Sequence, residues 1–578
     1  MVASIRRLAP RRHPDCDKLD PAAVPTRVPH DGPVNSRSAV VETTSGPYRG
    51  VVEGPVTVWR GMRFAAPPIG ENRWRRAQPA PVHTEIVEAD RPGSVCPQQV
   101  IPVVGLGPDA VMDEDCLFLN VWSPSGSDGP ALPVMVWLHG GAYVYGSGSQ
   151  PLYDGTVLAR TAGIVVVTVN YRIGAFGFAD MRTVVDDAES NPALSDVLAA
   201  LRWVQDNIAG FGGDPAQVTV AGESAGGGMV TTLLAMPAAT GLFARAISQS
   251  SPASTIFTAE RMAVVADLLH RGIPAGLRDA SAEHLVEAGM SAFADVPQAS
   301  PGILAYTPTV DGDLLPRHPM DVFAAGESLP VPLLIGSNRD EATVFKYMKS
   351  PLMPIDLDVL RRMFLRLADE RPDLPIPDEH VIESLYPRRK SAAGVGMARD
   401  LAFRMPALWV AEPHSRIAPV YLYRFDWAPP MFRVMRLGAT HAAELGLTWG
   451  NISIGKRDIT YRLGGRGTAE TLSARMVARW GAFVRGAAPD HVTGTTLNGA
   501  TLNGATLNGS GMNGTTLNGS GANGSGPNST GPNSAGVSWP AYTPERRATM
   551  VIGAADRVVD DLDGALRQTW GEVALGFR

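Results

Sequence analysis

Ser224 lies in the stretch VTVAGESAGGG, Val218 to Gly228, with Gly222 and Gly226 two residues to either side. A lone hydroxyl is a poor nucleophile. To do chemistry it needs a base to take its proton, a group to orient that base, and donors for a developing oxyanion. G-x-S-x-G between a run of alternating β-branched residues and a helix-like run is the context of a nucleophile elbow, a turn so tight that the positions two before and two after the serine must be small. The helix that follows would place its positive N-terminal end beneath the hydroxyl. Upstream, WLHGGAYVYG (Trp137–Gly146) follows another strand-like run and offers the backbone amides an oxyanion needs. Each such donor is worth roughly 3 kcal/mol in acyl transfer.

These segments need a frame. LPVMVWL (Leu132–Leu138) and GIVVVTVNY (Gly163–Tyr171) are continuous, β-branched and bounded by Gly or Pro, so they read as strands buried on both faces. ALSDVLAALRWVQDNIAGF (193–211) carries apolar residues at helical spacing. QVTVAG is the next strand, AGGGMVTTLLAM the next helix, and VPLLIG (331–336) and PVYLYRFD (419–426) repeat the strand pattern. Strand and helix in alternation predict an α/β fold, a mostly parallel sheet covered by helices.

The chain has 578 residues, 44% of them apolar, with 51 basic and 57 acidic side chains. That is enough for a large core and lacks the basic stripe of a nucleic-acid binder. No apolar run approaches the roughly 20 residues of a membrane span. Arg6-Arg7 is followed by no apolar h-region, so a signal peptide is rejected and a cytoplasmic location expected. Residues 1–37 read as a disordered extension and 38–578 as a single domain. Asn recurs every five residues from Asn498 to Asn533, while the accompanying apolar residue decays from Leu497 to Ala522 and Pro527. One apolar side chain per five residues buries too little to offset chain entropy, so 494–536 reads as a flexible low-complexity insertion with no catalytic part. Cys96 and Cys116 would close a loop of about 20 residues, worth ~3 kcal/mol if oxidised. Without an export signal two reduced thiols are the default, and the sequence leaves the pairing open.

Two long motifs give the chain a resemblance. FGGDPAQVTVAGESAG (Phe211–Gly226) and EDCLFLNVWSP (Glu114–Pro124) resemble the two signatures of the type B carboxylesterase family, relatives of the cholinesterases with the α/β-hydrolase fold. WRGMRFAAPPIGENRWRRAQPAP and WPAYTPERRATMVIG are similar to its opening and closing segments, so the likeness spans about 38–493 and 537–578. It implies a serine hydrolase that cleaves carboxylic esters through an acyl-enzyme, needing no cofactor or metal. Ser224 would be the nucleophile, and Gly141, Ala142 and Ala225 the oxyanion donors. GSNRDEATVF resembles the segment of the family's acid, which points to Glu341 rather than its neighbour Asp340. The histidine follows the acid, leaving His380, His414, His441 and His491. LGATHAAELGLTWG resembles the family's histidine loop and selects His441. The likeness also gives supporting roles to Glu223, Ser250 and Glu444, and an Arg73–Glu114 ion pair that ties down the Cys96–Cys116 loop.

His441 and Glu444 stand at H-x-x-E spacing, but no further His or Cys joins them at ligand spacing, so no metal site is expected. The cholinesterases carry a tryptophan in the first cysteine loop. Here that loop is PQQVIPVVGLGPDAVMDED, without an aromatic ring, which favours a small neutral or hydrophobic ester over a quaternary ammonium. The same machinery would serve carbamates, amides, thioesters or lactones. A non-catalytic binding module on this fold is the reading most at odds with an intact set of chemical groups.

Overall fold

In the computed structural model the described residues are 36–578, apart from 102–103, 127–128, 274–275, 387–389, 453–457, 490–495, 498–499 and 502–536. The expected N-terminal extension therefore lies outside the described residues up to position 35. Ser36 and Arg37 are already strand, pairing with Val52 and Val51, two residues before the expected start. The repeat also lies outside them, apart from a short pairing of Thr496–Leu497 with Ala500–Thr501.

The strands along the main path of the sheet are β1 (Ser36–Thr43), β2 (Gly46–Glu53), β3 (Val56–Arg63), β4 (Phe118–Pro124), β5 (Leu132–Leu138), β6 (Val165–Val169), β7 (Gly213–Glu223), β8 (Arg245–Gln249), β9 (Leu333–Asn338), β10 (Val420–Phe425), β11 (Ala548–Ile552) and β12 (Arg557–Asp560). Their spatial order is β1-β2-β3-β4-β6-β5-β7-β8-β9-β10-β11-β12. From β6 to β11 every pairing is parallel. The flanks are antiparallel.

Alternate residues of β5 serve opposite faces, as the pleat requires. Val134, Val136 and Leu138 enter one apolar cluster, with α1 (Pro192–Asn207) and α2 (Ala225–Leu234) packed there. Met135 and Trp137 enter the other, under the helix Arg466–Val484. The run read as one helix over 193–211 stops at Asn207, whose side chain turns back to the Trp203 carbonyl and out to Thr44. A 3-10 turn, Ile208–Phe211, follows. The strands expected from Val331 and Pro419 begin at Leu333 and Val420, because a proline nitrogen cannot donate to the ladder.

Parallel neighbours end together at one sheet edge. Leu138 of β5 pairs with Gly222 of β7, Glu223 with Gln249 of β8, Gly336 of β9 with Gln249, and Asn338 with Phe425 of β10. The loops leaving these carboxyl ends carry HGGA, Ser224, Ser250, Glu341 and, after a longer path, His441. This edge is where open α/β sheets bind ligands.

Candidate active site

Ser224 caps α2 at φ 56°, ψ −122°, a left-sided conformation unusual for a residue with a side chain. The turn closes because nothing projects from its glycines. A Cβ on Gly222 would lie 2.5 Å from the backbone of Gly226, and one on Gly226 would lie 2.0 Å from the Leu138 carbonyl oxygen. The Ser224 amide donates to the Gln249 carbonyl at 2.9 Å, locking the turn to β8.

His441 Nε2 is 2.8 Å from Ser224 Oγ, and its Nδ1 is 2.6 Å from Glu341 Oε2. Glu341 is fully buried. Its other oxygen accepts from Ser250 Oγ at 2.6 Å and from the Asn338 amide at 2.6 Å, so the carboxylate is held on both sides. Phe403 and Phe345 pack on the imidazole, with ring centroids 4.6 and 5.2 Å away. Neither His380 nor His414 reaches Ser224 or Glu341. The ring of His414 is buried between Ser328 Oγ and the Val331 carbonyl, His380 is exposed, and His491 lies outside the described residues. Asp340 points away from the imidazole and accepts from the Ala439 amide at 2.9 Å, bracing the loop that carries His441.

The amides of Gly141, Ala142 and Ala225 donate to no acceptor among the described residues. Ala225 is the first residue of α2, where amides have no intrahelical partner. Ala142 and Ala225 line the same cavity as Ser224, so unpaired amides border the hydroxyl there.

Glu223 and Glu444 are both buried. Glu444 accepts from Gln249 at 3.1 Å and from the Asn338 side chain. Gln249 in turn accepts from Trp480 Nε1 at 3.0 Å. Among the described residues Glu223 Oε1 has no hydrogen-bond partner, and it stands 3.3 Å from His441 Nε2. Burial raises its carboxyl to about 8, against the pull of His441. Burial disfavours the charged imidazole, but the carboxylates of Glu223 and Glu341 outweigh it and push His441 to about 9. The two groups therefore titrate as a pair.

The Arg73–Glu114 pair forms, at 2.7 and 2.5 Å. The Arg73 guanidinium also donates to the Leu277, Arg278 and Ala280 carbonyls, so it ties the cysteine loop to a second segment. Cys96 and Cys116 are buried free thiols. The Cys116 thiol lies well above its usual range, first through its hydrogen bond with Cys96 and then through burial. Sequence reading missed Asn338, Gln249, Arg404 and the two phenylalanines. Asn338 stands three residues before Glu341 in the same segment. No signal in the sequence marks Phe403, which sits in a π-helical turn, Asp400–Arg404, whose Arg404 reaches the Asn338 carbonyl at 3.1 Å.

A serine, histidine and carboxylate in one hydrogen-bonded row beside free amides can carry acyl transfer. The carboxylesterase family model matches residues 37–562. The chain is 34% identical over 542 residues to the para-nitrobenzyl esterase of Bacillus subtilis, covering 92% of this chain and 98% of that protein. It is 32% identical over 471 residues to the phenmedipham hydrolase of Pseudarthrobacter oxydans, covering 78% and 91%. A solved structure of a thermophilic PNB esterase matches with a TM-score of 0.74 at 31% identity, covering 92% of this chain and 99% of that one. A Geobacillus stearothermophilus carboxylesterase matches with a TM-score of 0.70 at 31% identity, covering 92% and 100%. The chain belongs to the carboxylesterase family, with the α/β-hydrolase fold, and is a carboxylic ester hydrolase acting on small esters.

Proposed function

We propose that hydrolysis runs through an acyl-enzyme on Ser224. The observation that carries this is the unbroken row from Ser224 Oγ through His441 to Glu341, at 2.8 and 2.6 Å. Oγ attacks the ester carbonyl carbon while His441 Nε2 takes its proton. The carbonyl oxygen becomes an oxyanion facing the amides of Gly141, Ala142 and Ala225. Glu341 keeps Nδ1–H fixed and stabilises the imidazolium. Collapse breaks the bond to the alcohol oxygen, which leaves with the Nε2 proton. Water then attacks the acyl carbon, giving a proton to Nε2. The second collapse frees the acid, and the proton returns to Oγ. Ser250, Glu444 and Asn338 position these groups.

The preferred substrate is a neutral ester with an apolar chain. The cavity at Ser224 has a volume of about 150 Å³ and is lined mainly by Leu, Met and Phe side chains without a charged residue. A charged substituent would lose its hydration there without gaining a partner. The test is hydrolysis of p-nitrophenyl esters from acetate to palmitate by wild type and Ser224→Ala. Activity lost with the serine supports the reading; comparable turnover by folded Ser224→Ala would overturn it.

A further inference from the structure

The cavity at Ser224 is walled by two groups of side chains. Phe345 and Phe403 belong to the first, packed at a tilt against His441. The second is built from elements far apart in sequence: Met363 and Phe364 of α3 (Leu357–Glu370), and Leu575 and Phe577 from the segment after the helix Gly564–Trp570. None of this second group hydrogen-bonds to or stacks on Ser224, Glu341 or His441.

Phe577 packs against two cations. The guanidinium groups of Arg261 and Arg366 lie 5.4 and 5.7 Å from its ring centroid. Both belong to one carboxylate, since Arg261 reaches Glu370 Oε2 at 2.6 Å and Arg366 reaches Oε1 at 2.6 Å. Arg261 Nε also donates to the Arg578 carbonyl, holding the adjacent backbone. Without Glu370 the two cations would repel each other; with it they form a clamp on the ring. The wall has no slack at this point. A Cβ on Gly302 would lie 3.0 Å from Phe577 Cε2 and 2.7 Å from Met363 Sδ. An aromatic ring backed by two anchored cations cannot swing aside for a longer ligand as a free side chain would.

We infer that Phe577, clamped by Arg261, Arg366 and Glu370, sets the length of the apolar chain that the cavity accepts. This rests on Ser224 as the reacting group. The test compares wild type, Phe577→Ala and Glu370→Gln on two series: p-nitrophenyl esters of lengthening acyl chain, and acetates of lengthening alcohols. A fluorophosphonate probe counts the reactive serine in each preparation. Phe577→Ala should raise the long-to-short ratio of kcat/KM about tenfold or more in one of the series, the scale on which a pocket resolves a few methylenes. Glu370→Gln leaves the cavity lining intact and should shift the ratio the same way, by about threefold. Unchanged ratios in both series, with the serine fully titrated, would overturn the inference. So would a shift with Phe577→Ala that Glu370→Gln does not share. If Phe577→Ala does not fold, Phe577→Leu takes its place with the same expected direction. Failure of the underlying reading looks different: wild type would hydrolyse esters without taking up the probe.

Discussion

A hydroxyl, an imidazole and a carboxylate do nothing unusual alone. Here the Ser224 backbone is held at φ 56°, a conformation that costs a residue with a side chain about 1–3 kcal/mol. What the strain achieves is an Oγ raised above the sheet edge within reach of His441. In the mechanism proposed above the three groups act as a unit, so removing the serine removes nearly all their effect. Ser224→Ala should lose at least ~10⁴-fold in kcat, with thermal unfolding close to wild type. Glu341→Gln should lose less than Ser224→Ala or His441→Ala, since the serine–imidazole pair remains; steady-state kinetics on one ester ranks the three. The pH profile follows from the carboxylates around His441. A raised imidazole keeps its proton, and so cannot act as base, up to a higher pH. The kcat/KM should therefore fall on the acid side with a midpoint above that of an ordinary histidine. Glu223→Gln removes the carboxylate that lifts it most, so its midpoint should lie lower. An unmoved or raised midpoint would mean that Glu223 does not govern the base.

Elements decide where these residues stand. Five neighbouring parallel strands, β5, β7, β8, β9 and β10, end at one level, and each delivers one part of the site. The most exacting joint is the one between β7 and α2. Gly226→Ala would drive a Cβ against the Leu138 carbonyl oxygen at the end of β5. Backbone cannot yield as a flexible side chain does, so the change should destabilise by about 2–3 kcal/mol and lower turnover by displacing Ser224. Melting temperature and active-site titration read the two effects separately. A second joint is Arg73. Removing its guanidinium leaves Glu114 and three carbonyl groups without their donor, and Arg73→Ala should destabilise by about 3 kcal/mol in denaturant unfolding. The strand Leu132–Leu138 was legible to the residue, because a fully buried parallel strand leaves a continuous apolar run. Helix ends were less legible: Asn207 ends α1 through a side chain bonded to Thr44, a partner remote in sequence.

At the scale of the whole molecule, the repeat is the feature least tied to the chemistry. Buried Arg479 donates to the Pro489 carbonyl on one side of it and to the Val537 carbonyl on the other, at 3.1 and 3.2 Å. One side chain thus holds the two positions that flank the repeat. Joining its ends with a short Gly-Ser link shortens a loop, and loop length weighs only weakly on stability. Turnover should stay within about twofold and the melting temperature should scarcely move. A large loss in either would give the repeat a part in the domain.

The chemical groups, their order along the chain and the alternation of strand and helix were all legible in the residues, because each is written in residue type and local periodicity. Resemblance then picked Glu341 over Asp340 and His441 among four histidines. The tertiary structure decided who stands beside whom. It paired the second Glu341 oxygen with Ser250 and Asn338, and left Cys96 and Cys116 as neighbouring thiols. It also brought Phe403 onto the imidazole and Phe577 into the cavity wall. Periodicity reports which face of an element is buried; it does not report which other face covers it. That choice belongs to the packing of the whole sheet and its helices, where segments hundreds of residues apart become neighbours.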